Sequence, residues 1–299
     1  MSVVIVNPSS ASGSTGEAWP QIASDLRSQF GAFRVFFTKK RGDAAALATE
    51  AARKGAKFII ACGGDGTVSE VTNGILSSGK DVELGILPSG TGGDFRRTLE
   101  IPSQSREAAR ILSKGRTVKI DVGRVSFVDH NGNEAMRYFV GVASCGMSTQ
   151  VIERVKKEKI SFATSLLQTA MRTEPTRLAI QLDDSHERHL TVLNLCVANA
   201  RYFGGGMKIA PDAKLTDGKF DIVGVGDLSA LKIFTSAPRI YMGSHLSMPE
   251  VSHALARKVT VRAADRAAEV ALEIDGELPG KLPATFQIIP EALRVRVNR

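Results

Sequence analysis

Cysteine is scarce in this 299-residue chain: Cys62, Cys145 and Cys196 stand far apart in apolar stretches. That spacing excludes a disulfide framework or a thiolate metal cluster and suits a reducing cytoplasm. Aromatic residues make up only 6% of the chain and no basic, aromatic-interleaved motif occurs, so nucleic acid is not an expected partner. No apolar run approaches the roughly 20 residues needed to cross a bilayer. The opening Met1-Ser2-Val3-Val4-Ile5-Val6 carries no basic leader, and neither end shows a lipidation signal. Two phosphate-binding signatures, G-x-x-x-x-G-K-[ST] and G-x-G-x-x-G, are also missing, which sets aside a P-loop ATPase and an ordinary dinucleotide dehydrogenase.

What is present is a globular composition. Forty-three per cent of residues are apolar, and 39 Lys and Arg against 31 Asp and Glu give a formal net charge of +8. Such a charge favours anionic partners without choosing among nucleotides, acidic lipids and nucleic acid. The length accommodates two domains. Short β-branched runs at Val3 to Val6, Phe33 to Phe37, Phe58 to Ala61 and Leu84 to Leu87 alternate with helical patterns at about Glu17 to Phe30, Asp43 to Lys54 and Val68 to Leu76. That alternation predicts a parallel sheet covered on both faces. After Asp121 the pattern changes to longer strand candidates, Arg137 to Ala143, Arg177 to Leu182, Thr191 to Ala198 and Phe220 to Val225, with polar turns such as Asp129 to Asn133. The expectation is an α/β domain over residues 1–121 and a β-rich, sandwich-like domain over 122–299, with a cleft between them.

Two glycine clusters follow strands in the first domain. Gly63-Gly64-Asp65-Gly66-Thr67 opens a helix, so bare glycines and unpaired N–H groups make it a phosphate seat, or else a tight strand-to-helix turn without a ligand. An Asp inside it would repel a bare phosphate and suits an intervening Mg²⁺ or water. Gly90-Thr91-Gly92-Gly93-Asp94-Phe95 lies at the same sheet edge, where ligands of such folds collect.

These clusters, with the Asn7-Pro8 loop closing in Ser12-Gly13, resemble the diacylglycerol kinase catalytic domain in order and spacing. The resemblance continues through Asn199 to Met207, Ala210-Pro211, Asp217-Gly218 and Ile274-Asp275-Gly276-Glu277, and is similar to the soluble bacterial branch of diacylglycerol, sphingosine and phosphatidylglycerol kinases. It implies a Rossmann-like nucleotide domain, a β-rich lipid-substrate domain, an active site in the cleft, and ATP and Mg²⁺ as cofactors. Asn7, Ser12, Gly13, Thr38, Gly64, Asp65, Gly66, Thr67, Val68, Ser69, Glu70 and Thr91 would then meet the nucleotide. Glu277 would accept the lipid hydroxyl's proton, with Asp275 as its partner, although Asp275-Gly276 also reads as a plain hairpin turn. Asp65, Asp94 and Asp121 would organise Mg²⁺ through water, and Asp217 with the carbonyls of Lys214 and Lys219 would hold a second, structural Mg²⁺.

The chain departs from that pattern in three places. Gly93 stands where the family usually has Asn, Lys219 where an apolar residue is common, and the first loop reads Ser9-Ser10-Ala11-Ser12-Gly13, so more than one serine is available to the phosphates. Arg154, Lys156, Lys157 and Lys159 beside Val151, Ile152, Val155, Ile160 and Phe162, then Leu166, Leu167 and Met171, read either as a membrane-resting amphipathic helix or as a solvated face over a core. His186 and His189 fall in a polar hairpin. The partners expected are a membrane lipid substrate and an anionic membrane surface, with a homodimer allowed, for a cytoplasmic, peripherally associated protein. The alternatives are an NAD kinase and a regulatory nucleotide-binding protein that has lost turnover.

Overall fold

The computed structural model describes the chain except residues 1, 91, 159–163, 166–167, 170–171 and 266, and excepting the side chains of Lys156 and Ala230. It divides into two units, Met1–Val122 with Pro290–Arg299, and Gly123–Ile289.

In the first unit, strands β1 (Ser2–Val6), β2 (Arg34–Phe37), β3 (Phe58–Gly63) and β4 (Glu83–Pro88) pair in parallel in the order β4-β3-β1-β2. Val3 to Val6 and Ile59 to Cys62 are fully buried, as expected of strands sandwiched by helices on both faces. Helix α1 (Ser14–Phe30) packs with α5 (Ser105–Lys114), and α2 (Asp43–Arg53) with α3 (Asp65–Ser77). The α2–α3 approach is close because Gly74 lacks a side chain: a Cβ there would sit 2.7 Å from the Ala48 methyl. Burial pushes the thiols of Cys62 and Cys145 up to about 12, and that of Cys196 well above its ordinary range, so all three are inert core groups.

The expected second segment, 122–299, is corrected by the returning chain. The strand Glu277–Val297 leaves the second unit and finishes in the first, where Arg294 and Val295 pair in parallel with Glu83 and Leu84 of β4. Buried Glu83 receives Arg296 Nε at 2.6 Å, Arg296 Nη2 at 3.1 Å and Thr117 Oγ1 at 2.8 Å. The same guanidinium lies 5.0 Å from the centre of the Phe58 ring. Sequence pattern could not locate this closure, because the pairing joins segments more than 200 residues apart.

The second unit is a β-sandwich. One run of antiparallel strands is Val251–Ala256, Phe220–Val225, Asn194–Ala198, Val142–Gly146 and Ala271–Ile274. A second run is Arg188–Val192, Thr176–Leu182 and Lys258–Ala263. The strand Glu277–Val297 pairs with both Ala271–Ile274 and Lys258–Ala263. Phe139 stacks on Phe220 at 5.6 Å and meets Phe286 edge-on at 6.2 Å, fixing the core. The single strand expected over Arg137 to Ala143 is two, Glu134–Phe139 and Val142–Gly146. The break falls where the N–H groups of Val140 and Gly141 turn to the Asp275 carboxylate. The polar turn Asp129 to Asn133 is as expected, with Asp129 Oδ1 accepting from the N–H groups of Asn131 and Asn133 at 2.8 Å each. Among the described residues no helix is long and apolar enough to cross a membrane.

The Arg296–Glu83 pair sets a test. Arg296→Met removes the nearer of two cations from buried Glu83, leaving Arg294 Nη2 at 3.9 Å, and should destabilise the first unit by up to about 3–5 kcal/mol. Adding Glu83→Gln should recover part of that loss, and urea unfolding of wild type, both single variants and the double variant measures it.

Candidate functional site

The two glycine clusters meet backbone to backbone. β3 ends at Gly63, Gly64 precedes α3, and Ser89 N–H donates to the Gly63 carbonyl at 3.0 Å. A Cβ on Gly90 would lie 2.7 Å from Gly64 Cα, and one on Gly92 the same distance from Asp65 Oδ2, so glycine is required by proximity at both positions. Asp65 joins the clusters: Oδ2 accepts Gly93 N–H at 2.6 Å and Asp94 N–H at 3.1 Å, while Oδ1 accepts Phe95 N–H at 3.2 Å. Gly93 adopts φ +73°, the left-handed conformation that starts the short helix α4 (Asp94–Thr98).

Of the other expected nucleotide residues, some brace this junction and others lie apart from it. Asn7 Nδ2 donates to Thr67 Oγ1 at 3.1 Å, and Asn7 Oδ1 accepts Ser9 N–H at 3.1 Å, so Asn7 ties the first loop to α3. Ala11, Ser12 and Gly13 run through positive φ of 51°, 58° and 96°, leaving the Ser12 side chain exposed. The loop is anchored by hydroxyls that the sequence reading did not single out: Ser10 Oγ lies 2.6 Å from Thr15 Oγ1, which itself meets Ser89 Oγ at 2.6 Å. Thr67, Val68 and Ser69 are buried and Gly64 and Gly66 partly exposed. Thr38 is buried at the end of β2, its N–H on the Val6 carbonyl at 2.9 Å. Glu70 turns away from the glycine clusters, accepting Gly42 N–H at 2.9 Å and Ala44 N–H at 3.1 Å at the start of α2. Thr91 lies outside the described residues.

The carboxylates expected to organise Mg²⁺ do not converge. Asp65 is occupied by three backbone N–H groups, Asp94 Oδ1 pairs with Arg97 Nη1 at 2.8 Å, and buried Asp121 accepts Glu291 N–H at 2.9 Å. Among the described residues no group of three or more His, Cys, Asp and Glu side chains is gathered to hold a metal directly, so any part these three acids take with Mg²⁺ would run through water, as the sequence reading has it. Of the second expected set, Asp217 is exposed and its Oδ1 accepts Lys219 N–H at 3.1 Å, and Lys214 is exposed. Asp217 is thus the one side-chain oxygen donor of this expected set, and the other two ligands expected are the backbone carbonyls of Lys214 and Lys219.

In the second unit Asp275 and Gly276 form a two-residue hairpin, with φ of 48° and 81° and Ile274 paired to Glu277. The turn geometry is that of a type I′ connection. It is pinned from two sides. Asp275 Oδ1 accepts Gly141 N–H at 2.9 Å, and buried Glu273 accepts Gly276 N–H at 2.5 Å while taking a hydrogen bond from Ser144. Ser144 in turn contacts Ser148 at 2.8 Å. Glu277 is half-buried at the head of its strand. Asp275 is thus a group that fixes backbone, and Glu273, which only its Ile-Asp-Gly-Glu neighbourhood could have flagged, is the residue that holds the turn.

The second unit also contains an apolar cavity of about 110 Å³, lined by Met147, Leu193, Phe203, Met207, Ile209, Leu228, Met248 and the inner face of the helix Ala230–Met242. Buried His245 lies at its edge, its Nε2 meeting the Ile209 carbonyl at 3.0 Å. Desolvation holds His245 below the ordinary imidazole range. On the outer face of that helix Leu231, Phe234 and Met242 are more than 60% exposed, an unusual density of large apolar groups in water. Of the basic stretch read as a membrane helix, Met147–Glu158 is helical and Arg154 pairs with Glu158 at 3.3 Å. Lys159, Ile160, Phe162, Leu166, Leu167 and Met171 lie outside the described residues.

The Asp65 junction predicts a measurable loss. An amide at this position has one acceptor oxygen and turns an NH₂ group toward N–H donors, so Asp65→Asn should cost about 1–3 kcal/mol, read from thermal melting against wild type.

With this geometry in place, the likeness to known proteins is specific. Residues 1–125 match the diacylglycerol kinase catalytic domain, and residues 140–297 match the YegS C-terminal NAD kinase beta sandwich-like domain. A protein of Mycobacterium tuberculosis named diacylglycerol kinase is 32% identical over 225 residues, covering 73% of this chain and 71% of that one. One from Staphylococcus haemolyticus with the same name is 31% identical over 266 residues, covering 86% and 77%. The crystal structure of a diacylglycerol kinase from Bacillus anthracis superposes with a TM-score of 0.75 at 25% identity, over 99% of this chain and 96% of that one. Two matched segments in the right order and relatives above 30% identity lead to one conclusion: the chain belongs to the diacylglycerol kinase catalytic-domain family, with a YegS-like second domain.

Proposed function

We infer that this chain is a lipid kinase that moves the γ-phosphoryl group of MgATP to the hydroxyl of a diacylglycerol-like lipid at an anionic membrane surface. Sphingoid and phosphatidylglycerol-like alcohols belong to the same chemical class. Relatives named diacylglycerol kinase support the reaction type. The observation that carries the substrate class is the apolar cavity beneath the helix Ala230–Met242, whose lining of Leu, Ile, Met and Phe side chains suits an apolar chain. The exposed Leu231, Phe234 and Met242 on the same helix suit contact with lipid, and the net charge of +8 suits an acidic bilayer.

Phosphoryl transfer asks a protein mainly for positioning and charge. Backbone N–H groups at the head of α3 and the bare glycine junction would receive the nucleotide's phosphates. Glu277 would accept the proton of the attacking hydroxyl as the oxygen bonds to phosphorus and ADP leaves with the bridging electrons. Asp275 is read as a positioning residue, since its carboxylate is engaged by Gly141 N–H, and Glu273 as the anchor that keeps the turn closed.

The test is transfer of labelled γ-phosphate from ATP, with Mg²⁺, to mixed-micelle lipids and to NAD. Wild type should label a lipid, and Glu277→Gln should lower kcat by at least about 100-fold while melting at the wild-type temperature. Label on NAD alone would make the chain an NAD kinase, and ATP binding without transfer would make it a regulatory protein. A second variant tests the cavity. Ala237→Phe, on the cavity wall, should lower turnover of a long-chain diacylglycerol several-fold with ATP affinity unchanged; equal turnover on long-chain substrate would remove the cavity from the mechanism.

A further inference from the structure

The small cavity at the glycine junction is lined by Gly63, Gly64, Asp65, Gly90, Gly93 and Arg96, among others. Arg96 is the cation in that lining, and nothing in the sequence pattern marked it as a site residue. Its side chain occupies the space that residue 93 leaves empty: a Cβ on Gly93 would lie 2.5 Å from Arg96 Nε and 3.1 Å from Arg96 Cδ and Cγ. The bare Cα of Gly93 is therefore what lets this arginine lie along the loop and reach the cavity.

The neighbouring charges define what the arginine is for. Arg97 is committed to the loop, donating from Nη1 to Asp94 Oδ1 at 2.8 Å and to the Gly92 carbonyl at 2.7 Å. Arg96 has one acceptor among the described residues, the Ile101 carbonyl at 3.2 Å from Nη1, out of five N–H donors on a guanidinium. The Asp65 carboxyl group stands in the same cavity wall, so an anion entering there needs a cation to face it. Burial and Arg97 beside it pull the Arg96 pKa down, and Asp65 and Asp94 push the other way. An incoming anion would relieve the Arg96–Arg97 repulsion.

We propose that Arg96 is a phosphate-binding residue of the nucleotide site, its guanidinium donating to a phosphate oxygen of the bound nucleoside triphosphate across the bare Cα of Gly93. Residues 93 and 96 then act as a matched pair, a missing side chain at one and a long cationic one at the other. This rests on the reading of the first unit as the nucleotide site.

Binding of ATP with Mg²⁺ and of adenosine is measured by calorimetry for wild type, Arg96→Ala, Arg96→Lys and Gly93→Asn. Arg96→Ala should weaken ATP binding about 10-fold or more, as expected for a lost charge-assisted hydrogen bond, and leave adenosine binding within about 2-fold. Arg96→Lys should recover part of the affinity. Gly93→Asn should weaken ATP in the same way, because Asn accepts the left-handed backbone but displaces the arginine. Gly93→Asn combined with Arg96→Ala should lose little beyond either single change. Equal ATP affinity for Arg96→Ala and wild type overturns the proposal and leaves the nucleotide reading standing, as does a melting-temperature loss with an unchanged ratio of ATP to adenosine affinity. Wild type that binds neither compound overturns both.

Discussion

The Asp65 carboxylate, bonded to three successive N–H groups of residues 93–95, is the contact on which the two glycine loops of the first unit depend. It fixes one glycine loop to the other, and the loops' bare Cα atoms then touch with no side chain between them. Charge-assisted bonds of this kind are stronger than neutral ones, and here they orient the segment that carries buried Phe95. The left-handed turn at Gly93, the position of Arg96 and the Arg97 brace all follow from where that segment is held. An acid that reads in sequence as a metal ligand is, in the folded chain, a backbone clamp.

The same use of carboxylates recurs. Glu70 starts α2, Asp121 holds the returning chain at Glu291, Glu273 closes the turn before Glu277, and Asp275 takes the N–H groups of Val140 and Gly141. Each satisfies backbone donors that would otherwise be costly to bury. The family resemblance ranked several of these acids by motif position, and motif position does not distinguish an acid facing a ligand from one facing its own main chain.

That difference marks how far the sequence could be read. The parallel strands and helices of the first unit were legible because apolar runs and helical periods are local, and Val3 to Val6 or Asp43 onward needed no distant partner to be recognised. The glycine clusters were legible because only a close backbone approach explains so many glycines after a strand. What was not legible depended on separation along the chain: Asp65 with residue 93, Asp275 with residue 141, and Glu83 with Arg296. The apolar cavity was hidden for a related reason. Its wall draws on residues from Met147 to Val251, and each alone is an ordinary core residue.

The return of Pro290–Arg299 to the first unit gives the fold an order in time. A ribosome releases the first 122 residues long before Arg294 and Arg296 exist, so the nascent first unit waits with the β4 edge unpaired and Glu83 lacking both arginines. The second unit can condense meanwhile, since its strands lie between the two halves of the first. The unit begun first is thus finished last, and during synthesis an exposed parallel edge is the part of this chain most in need of protection from other strands.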